Sequence, residues 1–88
     1  MKRSAQDLIE EILKAHRVGA ITQFRTSTDT FISVLTLEKK IAHKVQFEVR
    51  DLMNKTVMEK LQTYISDTFE QILHVATSHT TVTITYTK

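Results

Sequence analysis

The clearest pattern in the chain is a stripe of apolar side chains close to its start. The residues that form it recur at helical spacing, and they are Leu8, Ile9, Ile12 and Leu13. Ser4 and Asp7 have the spacing of a capping box, with Asp where Glu is usual. Gly19, the only glycine, stands where a left-handed residue would end the helix. The pattern therefore predicts an α-helix over residues 5–17.

Three strands are predicted to follow this helix, because apolar and polar residues then alternate with a period of two. Residues 20–26 alternate weakly and 41–49 alternate cleanly, whereas 30–37 carry apolar side chains on both sides. The polar segments 26–29 and 38–40 are predicted to be the turns between them. A strand that is apolar on both faces is usually central in its sheet or covered by a partner.

A broad apolar stripe in the second half of the chain predicts a second helix. This helix starts near Thr56, which forms a capping box with Glu59, and continues to about His74. Because β-branched residues become frequent at its end, an alternative is a separate strand over 71–77, in a hairpin with the last strand. That last strand is predicted over residues 80–87, where apolar residues alternate with threonines.

The predicted elements define an α+β fold, a two-layer α/β sandwich with the order α-β-β-β-α-β. Each helix has a single apolar stripe, so we expect both helices on one face of a mostly antiparallel sheet. The opposite face would then expose Ile21, Ile32 and Val34 among polar neighbours. Since an exposed apolar face is typical of a contact surface, we expect these residues to mediate self-association as a homodimer.

The composition places the chain among ordinary globular proteins. Its 88 residues fit a single domain spanning residues 1–88. Hydrophobic residues at 41% and charged residues at 25% are inconsistent with a disordered tail, and the formal net charge is only +2. A chain without cysteine, long apolar run or signal-like leader is expected in the cytoplasm, with no membrane contact.

Residue patterns typical of enzymes are missing from the sequence. There is no thiol and no nucleophile elbow, and a chain with one glycine has no glycine-rich phosphate loop. Asp67 and Glu70 share a helix face, but a solvated flank explains them without catalysis. The four histidines lack the spacing of metal ligands. We therefore expect a non-enzymatic protein with no catalytic residue, cofactor or metal.

The placement of basic residues suggests a site for anions or nucleic acid. In the predicted meander, the end of the first helix and the second turn would lie at the same end of the sheet. That end would collect Lys14, Arg17, Lys39, Lys40 and Lys44, with His16, His43, His74 and His79 nearby. Such a cluster would attract phosphates, more strongly below pH ~6.5 as histidines become charged. The alternative interpretation is that lysines mark turns and edges for solubility.

Two functions are consistent with these patterns. The first is a small accessory or regulatory protein that acts by protein–protein binding, as a homodimer and with a protein partner that the sequence does not identify. The second is nucleic-acid binding through the basic cluster, with an affinity that falls steeply as salt is added. The first depends on exposed apolar residues, and the second depends on the lysines lying together.

Overall fold

A computed structural model describes residues 1–87, which form two helices and one four-stranded sheet. Lys88, the last residue of the predicted domain, lies outside the described residues. The elements are α1 (Ala5–Arg17), β1 (Ile21–Ile32), β2 (Lys39–Val49), α2 (Lys55–Thr68), β3 (Ile72–Thr77) and β4 (Thr81–Tyr86). All three strand pairs are antiparallel, in the order β1-β2-β4-β3 across the sheet. The α+β class is confirmed, whereas the predicted element order is wrong: it is α-β-β-α-β-β.

The first helix forms as predicted because both of its ends are capped locally. The Oγ of Ser4 accepts a hydrogen bond from the Asp7 N–H at 3.3 Å. At the other end the Val18 N–H donates to the Lys14 carbonyl at 3.2 Å. Gly19 then takes φ +83°, the left-handed conformation that reverses the chain with little strain in glycine.

The predicted turn at residues 26–29 is wrong, since these residues continue β1. Thr26 lies opposite Val45 and Asp29 lies opposite Ala42, in regular antiparallel register. The segment lacks the glycine or proline that would stop a strand, and threonine favours strands strongly. The chain instead reverses over residues 33–38, so one long hairpin of two strands replaces the three predicted strands.

The second helix is shorter than predicted, and the alternative interpretation of residues 71–77 is correct. Helix α2 begins after Asn54, whose Oδ1 accepts a hydrogen bond from the Val57 N–H at 2.8 Å. It ends before Phe69, which is 1% exposed. The chain turns through Gln71, at φ 63°, and forms β3 as the outer strand of a hairpin with β4.

The core lies against one face of the sheet, which we call the core face. Val45 lies opposite Ile84 and Phe47 lies opposite Val82, so these side chains point to the same side. The buried residues of both helices belong to the same core. Its members from helices, sheet and connecting segments include Leu8, Ile12, Val45, Phe47, Ile65, Phe69, Val82 and Ile84.

The other side of the sheet, the open face, carries polar side chains that bond across the strands. Arg25 donates to the Oε1 of Gln46 from Nε at 3.1 Å and from Nη2 at 2.9 Å. Gln23 donates to the Glu48 carboxylate in the same way. Threonines of β4 continue this polar surface, since Thr83 lies opposite Gln46 and Thr85 lies opposite Lys44.

The β1–β2 hairpin is longer than the rest of the sheet. Strand β4 pairs with β2 only from His43 to Glu48. Residues 29–32 and 39–42 therefore pair only with each other and carry the turn beyond the sheet. We call residues 29–42 the arm. Its projection agrees with the elongated shape of the molecule, whose extents are 41 × 26 × 25 Å.

Candidate interaction surface

The arm exposes apolar side chains on both of its faces and at its turn, and we call them together the arm patch. Val34 and Leu35 are 91% and 96% exposed, and Leu37 is 79% exposed. The full patch is Phe31, Ile32, Val34, Leu35, Leu37 and Ile41. A two-stranded ribbon has no second layer to pack against, so alternation along its strands leaves apolar side chains in water. Clusters of this kind in soluble proteins mark interaction sites.

Local hydrogen bonds hold the end of the arm in a defined turn. The Ser33 N–H donates to the Glu38 carbonyl at 2.9 Å, and the Leu37 N–H donates to the Ser33 carbonyl at 2.8 Å. Leu37 adopts φ 57°, a left-handed conformation that costs a branched apolar residue free energy. Val34 and Leu35 lie within this turn, at the tip of the arm, where both are almost fully exposed.

Of the three residues predicted to mediate self-association, two lie in the arm patch and one does not. Ile32 and Val34 are exposed, whereas Ile21 is 6% exposed and belongs to the core. The reason is a β-bulge between Ile21 and Gln23, which shifts the register against β2 by one residue. An extra residue moves a side chain to the opposite face of the sheet, so the bulge turns Ile21 inward.

The structure does not bring the predicted basic residues together. Lys14 and Arg17 lie in the last turn of α1, close to Ala20, whose carbonyl accepts a hydrogen bond from the Arg50 N–H. Lys39 and Lys40 lie at the far end of the 11-residue strand β2. At ~3.3 Å per residue these two ends are roughly 33 Å apart.

Lys44 lies between these two ends, on the open face opposite Thr85. The predicted single cluster is therefore wrong, because it depended on a turn at residues 26–29 that the chain does not make. Contact of any of the five residues with an anion or a nucleic acid remains a prediction.

The four histidines are also dispersed. His16 packs edge-on against Phe24, with ring centroids 5.3 Å apart. His43 stacks on Tyr86 at 5.5 Å. His74 lies opposite Thr85 in β3, and His79 lies in the turn before β4. Among residues 1–87 no group of three or more His, Asp or Glu side chains could hold a metal ion.

A second apolar surface, which the sequence analysis missed, lies at the end of the molecule opposite the arm. It is a groove of 610 Å³ between the end of α1, the segment after β2 and the start of α2. We call it the base groove. Val18 and Leu52 are 75% and 77% exposed there. Its apolar lining comprises Val18, Val49, Leu52, Met53, Val57 and Leu61.

Strand β1 is an edge strand, and its length distinguishes it from the other edge. Its 12 residues pair with β2 on one side, and no further strand of residues 1–87 pairs with the other side. The opposite edge, β3, has 6 residues and a bulge between Ile72 and His74. Strand β1 also has a bulge, but only at its start, and residues 23–32 follow it in regular register. Short or bulged edges resist pairing with another chain, whereas long regular edges invite it.

Comparison of the chain with known proteins identified no similar protein. No protein-family model, curated protein or solved structure matches the chain. Within residues 1–87, no helix is both long enough and apolar enough to pass through a membrane. The surface geometry of the chain itself therefore carries the functional argument.

Shifted pKa values are found for two side chains in the body of the molecule. Burial raises the pKa of the Tyr86 phenol. The hydrogen bond from the Arg3 Nη1 to Glu11 Oε1, at 2.7 Å, raises the pKa of Arg3. No Asp, Glu, His, Lys or Arg side chain among residues 1–87 is buried. The surface of the chain therefore offers two features for binding, namely apolar contact area on the arm and in the base groove, and the free edge of β1.

Proposed function

We propose that this protein is a small, non-enzymatic accessory or regulatory protein of the cytoplasm that acts by binding proteins, including a second copy of itself, through the arm. The observation that carries the proposal is the arm patch. Its exposed side chains stand on a hairpin that extends beyond the sheet and contributes no residue to the buried core. Apolar residues held away from the core in this way gain little burial within the monomer, and an exposed apolar patch is typical of an interaction site.

The exposed side chains of the patch can contribute a substantial part of the binding free energy. Burying one Val, Leu or Ile side chain contributes about 1.5–3 kcal/mol. Val34, Leu35 and Leu37 are each more than three-quarters exposed, so a partner that covered all three would gain several such contributions. Binding costs of about 4–15 kcal/mol must be offset as well, which favours an interface that extends beyond the turn.

We infer in addition that both helices pack on the core face and leave the open face accessible. Two contacts support this arrangement. His16 of α1 packs on Phe24, and Gln62 of α2 donates a hydrogen bond to the Oγ1 of Thr77 at 2.7 Å. Phe24 lies opposite Phe47 and Thr77 lies opposite Val82, both of which point to the core face.

Sedimentation velocity over a range of concentrations tests the proposed function. We expect the wild-type chain to self-associate at micromolar concentrations and the Leu35→Ser, Leu37→Ser double variant to sediment as a monomer. Leu73→Ser is the matched control, because Leu73 is an exposed leucine (54%) on β3, away from the arm. A wild-type chain that remains monomeric at high micromolar concentration would contradict the proposal.

Nucleic-acid binding is the second candidate function, and a binding experiment tests it. If it is the function, added DNA or RNA should bind the wild-type chain with strong salt dependence. The Lys39→Ala, Lys40→Ala, Lys44→Ala triple variant should then lose that binding, while the leucine variants keep it. We expect no such salt-dependent binding, since the predicted basic cluster does not form.

A further inference from the structure

We infer that a second copy of the chain pairs with β1 in antiparallel register centred on Ser27, and that each arm then lies against the base groove of the other copy. The inference rests on the proposed function, which it makes specific. It gives a role to two further features of the surface, the free edge of β1 and the apolar base groove.

The first step is that a two-fold axis restricts the register. Suppose that two copies of β1 pair to form one continuous sheet, related by a two-fold axis perpendicular to that sheet. Residues directly opposite each other must then point to the same face of the sheet. Each residue then lies opposite one that is an even number of positions away along the strand. The centre of symmetry therefore falls on a residue rather than between two residues.

The second step is that charge selects among these registers. Arg25 and Asp29 are the charged residues of β1, and both point to the open face. Centred on Ser27, the pairing places Arg25 opposite Asp29 of the second copy, and symmetry forms this ion pair twice. Centring on Arg25 or on Asp29 would instead place like charges opposite each other, which disfavours those registers.

Both side chains are free to make this contact. Asp29 forms no salt bridge with any of residues 1–87, and its neighbour across the hairpin is Ala42. Arg25 uses Nε and Nη2 on Gln46, so Nη1 remains available for a carboxylate. At the centre, a small Ser27 side chain meets its own counterpart without a steric conflict.

The third step is that the same register connects the two apolar surfaces. In this register Phe31 lies opposite Gln23 of the second copy, so the turn at residues 33–38 extends past the start of that copy's β1, towards its Ala20 and Gly19. Ala20 and Gly19 lie in the base groove next to the exposed Val18. The arm patch of each copy would therefore cover the base groove of the other.

This pairing also explains why the assembly would stop at two copies. The free β1 edge, the arm patch and the base groove of each copy are all used in one closed two-fold contact. A head-to-tail contact between arm and groove would instead leave one arm and one groove free, and would continue into a filament. The remaining sheet edges would be the short, bulged β3 strands.

A single introduced thiol tests the register, because the chain contains no cysteine. Opposite residues of paired strands have Cβ atoms about 4.5–5.5 Å apart, close to the separation that a disulfide needs. We expect Ser27→Cys to form a disulfide-linked dimer under mild oxidation. Gln23→Cys is the control on the same edge: the two thiols would be roughly 26 Å apart, eight residues at ~3.3 Å each.

Charge exchange provides a second measurement that does not depend on a disulfide. Arg25→Asp alone and Asp29→Arg alone should each weaken dimerisation by roughly tenfold or more, because each places like charges opposite each other. The Arg25→Asp, Asp29→Arg double variant restores opposite charges and should return to within about threefold of wild type. Circular dichroism would establish that each variant is folded.

The outcomes separate this inference from the proposed function. Equal cross-linking of Ser27→Cys and Gln23→Cys, or no rescue by the double exchange, would overturn the register. If the leucine double variant still loses self-association in that case, the arm remains the binding surface and only the pairing of β1 is wrong. A strictly monomeric wild-type chain would overturn both.

Discussion

The body and the arm of this protein use the same kinds of residue for opposite purposes. In the body, Val45, Val82 and Ile84 are completely buried in the core. In the arm, Val34 and Leu35 are almost fully exposed, although they are chemically equivalent. The difference means that the apolar residues of the arm contribute little burial to the monomer, and that they would contribute more if another surface covered them.

The two regions also differ in how their ends are fastened. In the body, the N-terminal segment bonds to the end of α2: the Arg3 N–H donates to the Thr68 carbonyl at 2.8 Å, and the Glu70 N–H donates to the Arg3 carbonyl at 2.9 Å. Arg3 also reaches Glu11, whose Oε2 accepts a hydrogen bond from the Tyr64 hydroxyl at 3.3 Å. These contacts link residues distant in sequence, whereas the arm is held by its own hairpin alone, so it should open more readily.

The largest effect that distinguishes body from arm is expected at Phe47. Phe47→Ala leaves a cavity in the core, where Phe47 is 6% exposed, and should lower the free energy of unfolding by about 3–5 kcal/mol. Leu35→Ala is the matched control in the arm and should change it by less than about 0.5 kcal/mol in the monomer. Urea denaturation measures both at a concentration where the chain is monomeric. Equal losses for the two variants would contradict the separation of body and arm.

A small effect is expected on the open face. Thr83→Ala should lower the free energy of unfolding by well under ~1 kcal/mol, because Thr83 lies opposite Gln46 on the side of the sheet away from the core. Thermal unfolding followed by circular dichroism would measure the change. A loss similar to that of Phe47→Ala would mean that a second layer covers this face, and that the helices do not pack on one side only.

Much of the body could be predicted from the sequence, because its signals are local. The stripe of α1 with its cap at Ser4 and the alternation that gives β2 and β4 needed no knowledge of the rest of the chain. The extent of β1 could not be predicted this way, since the run Thr26-Ser27-Thr28-Asp29 suits a turn and an exposed strand equally well. Long-range pairing with residues 42–45 decided between them.

The candidate surface was only partly predictable for the same reason. Residues 30–37 were correctly identified as apolar on both sides, and exposure on the arm explains that pattern without a central strand. Ile21 was assigned to the wrong face because a bulge leaves no mark in the alternation. The base groove depends on three segments that meet only in the folded chain, so no local pattern indicates Leu52 as part of a surface.

Amide hydrogen exchange measured at several protein concentrations is the most direct test of the central claim, that the arm and the free edge of β1 exist to be covered by another chain. The account predicts that protection of β1 and of the turn at residues 33–38 rises with concentration, while protection of β3 stays constant. Exchange rates of β1 that are the same at low and high micromolar concentration would contradict it.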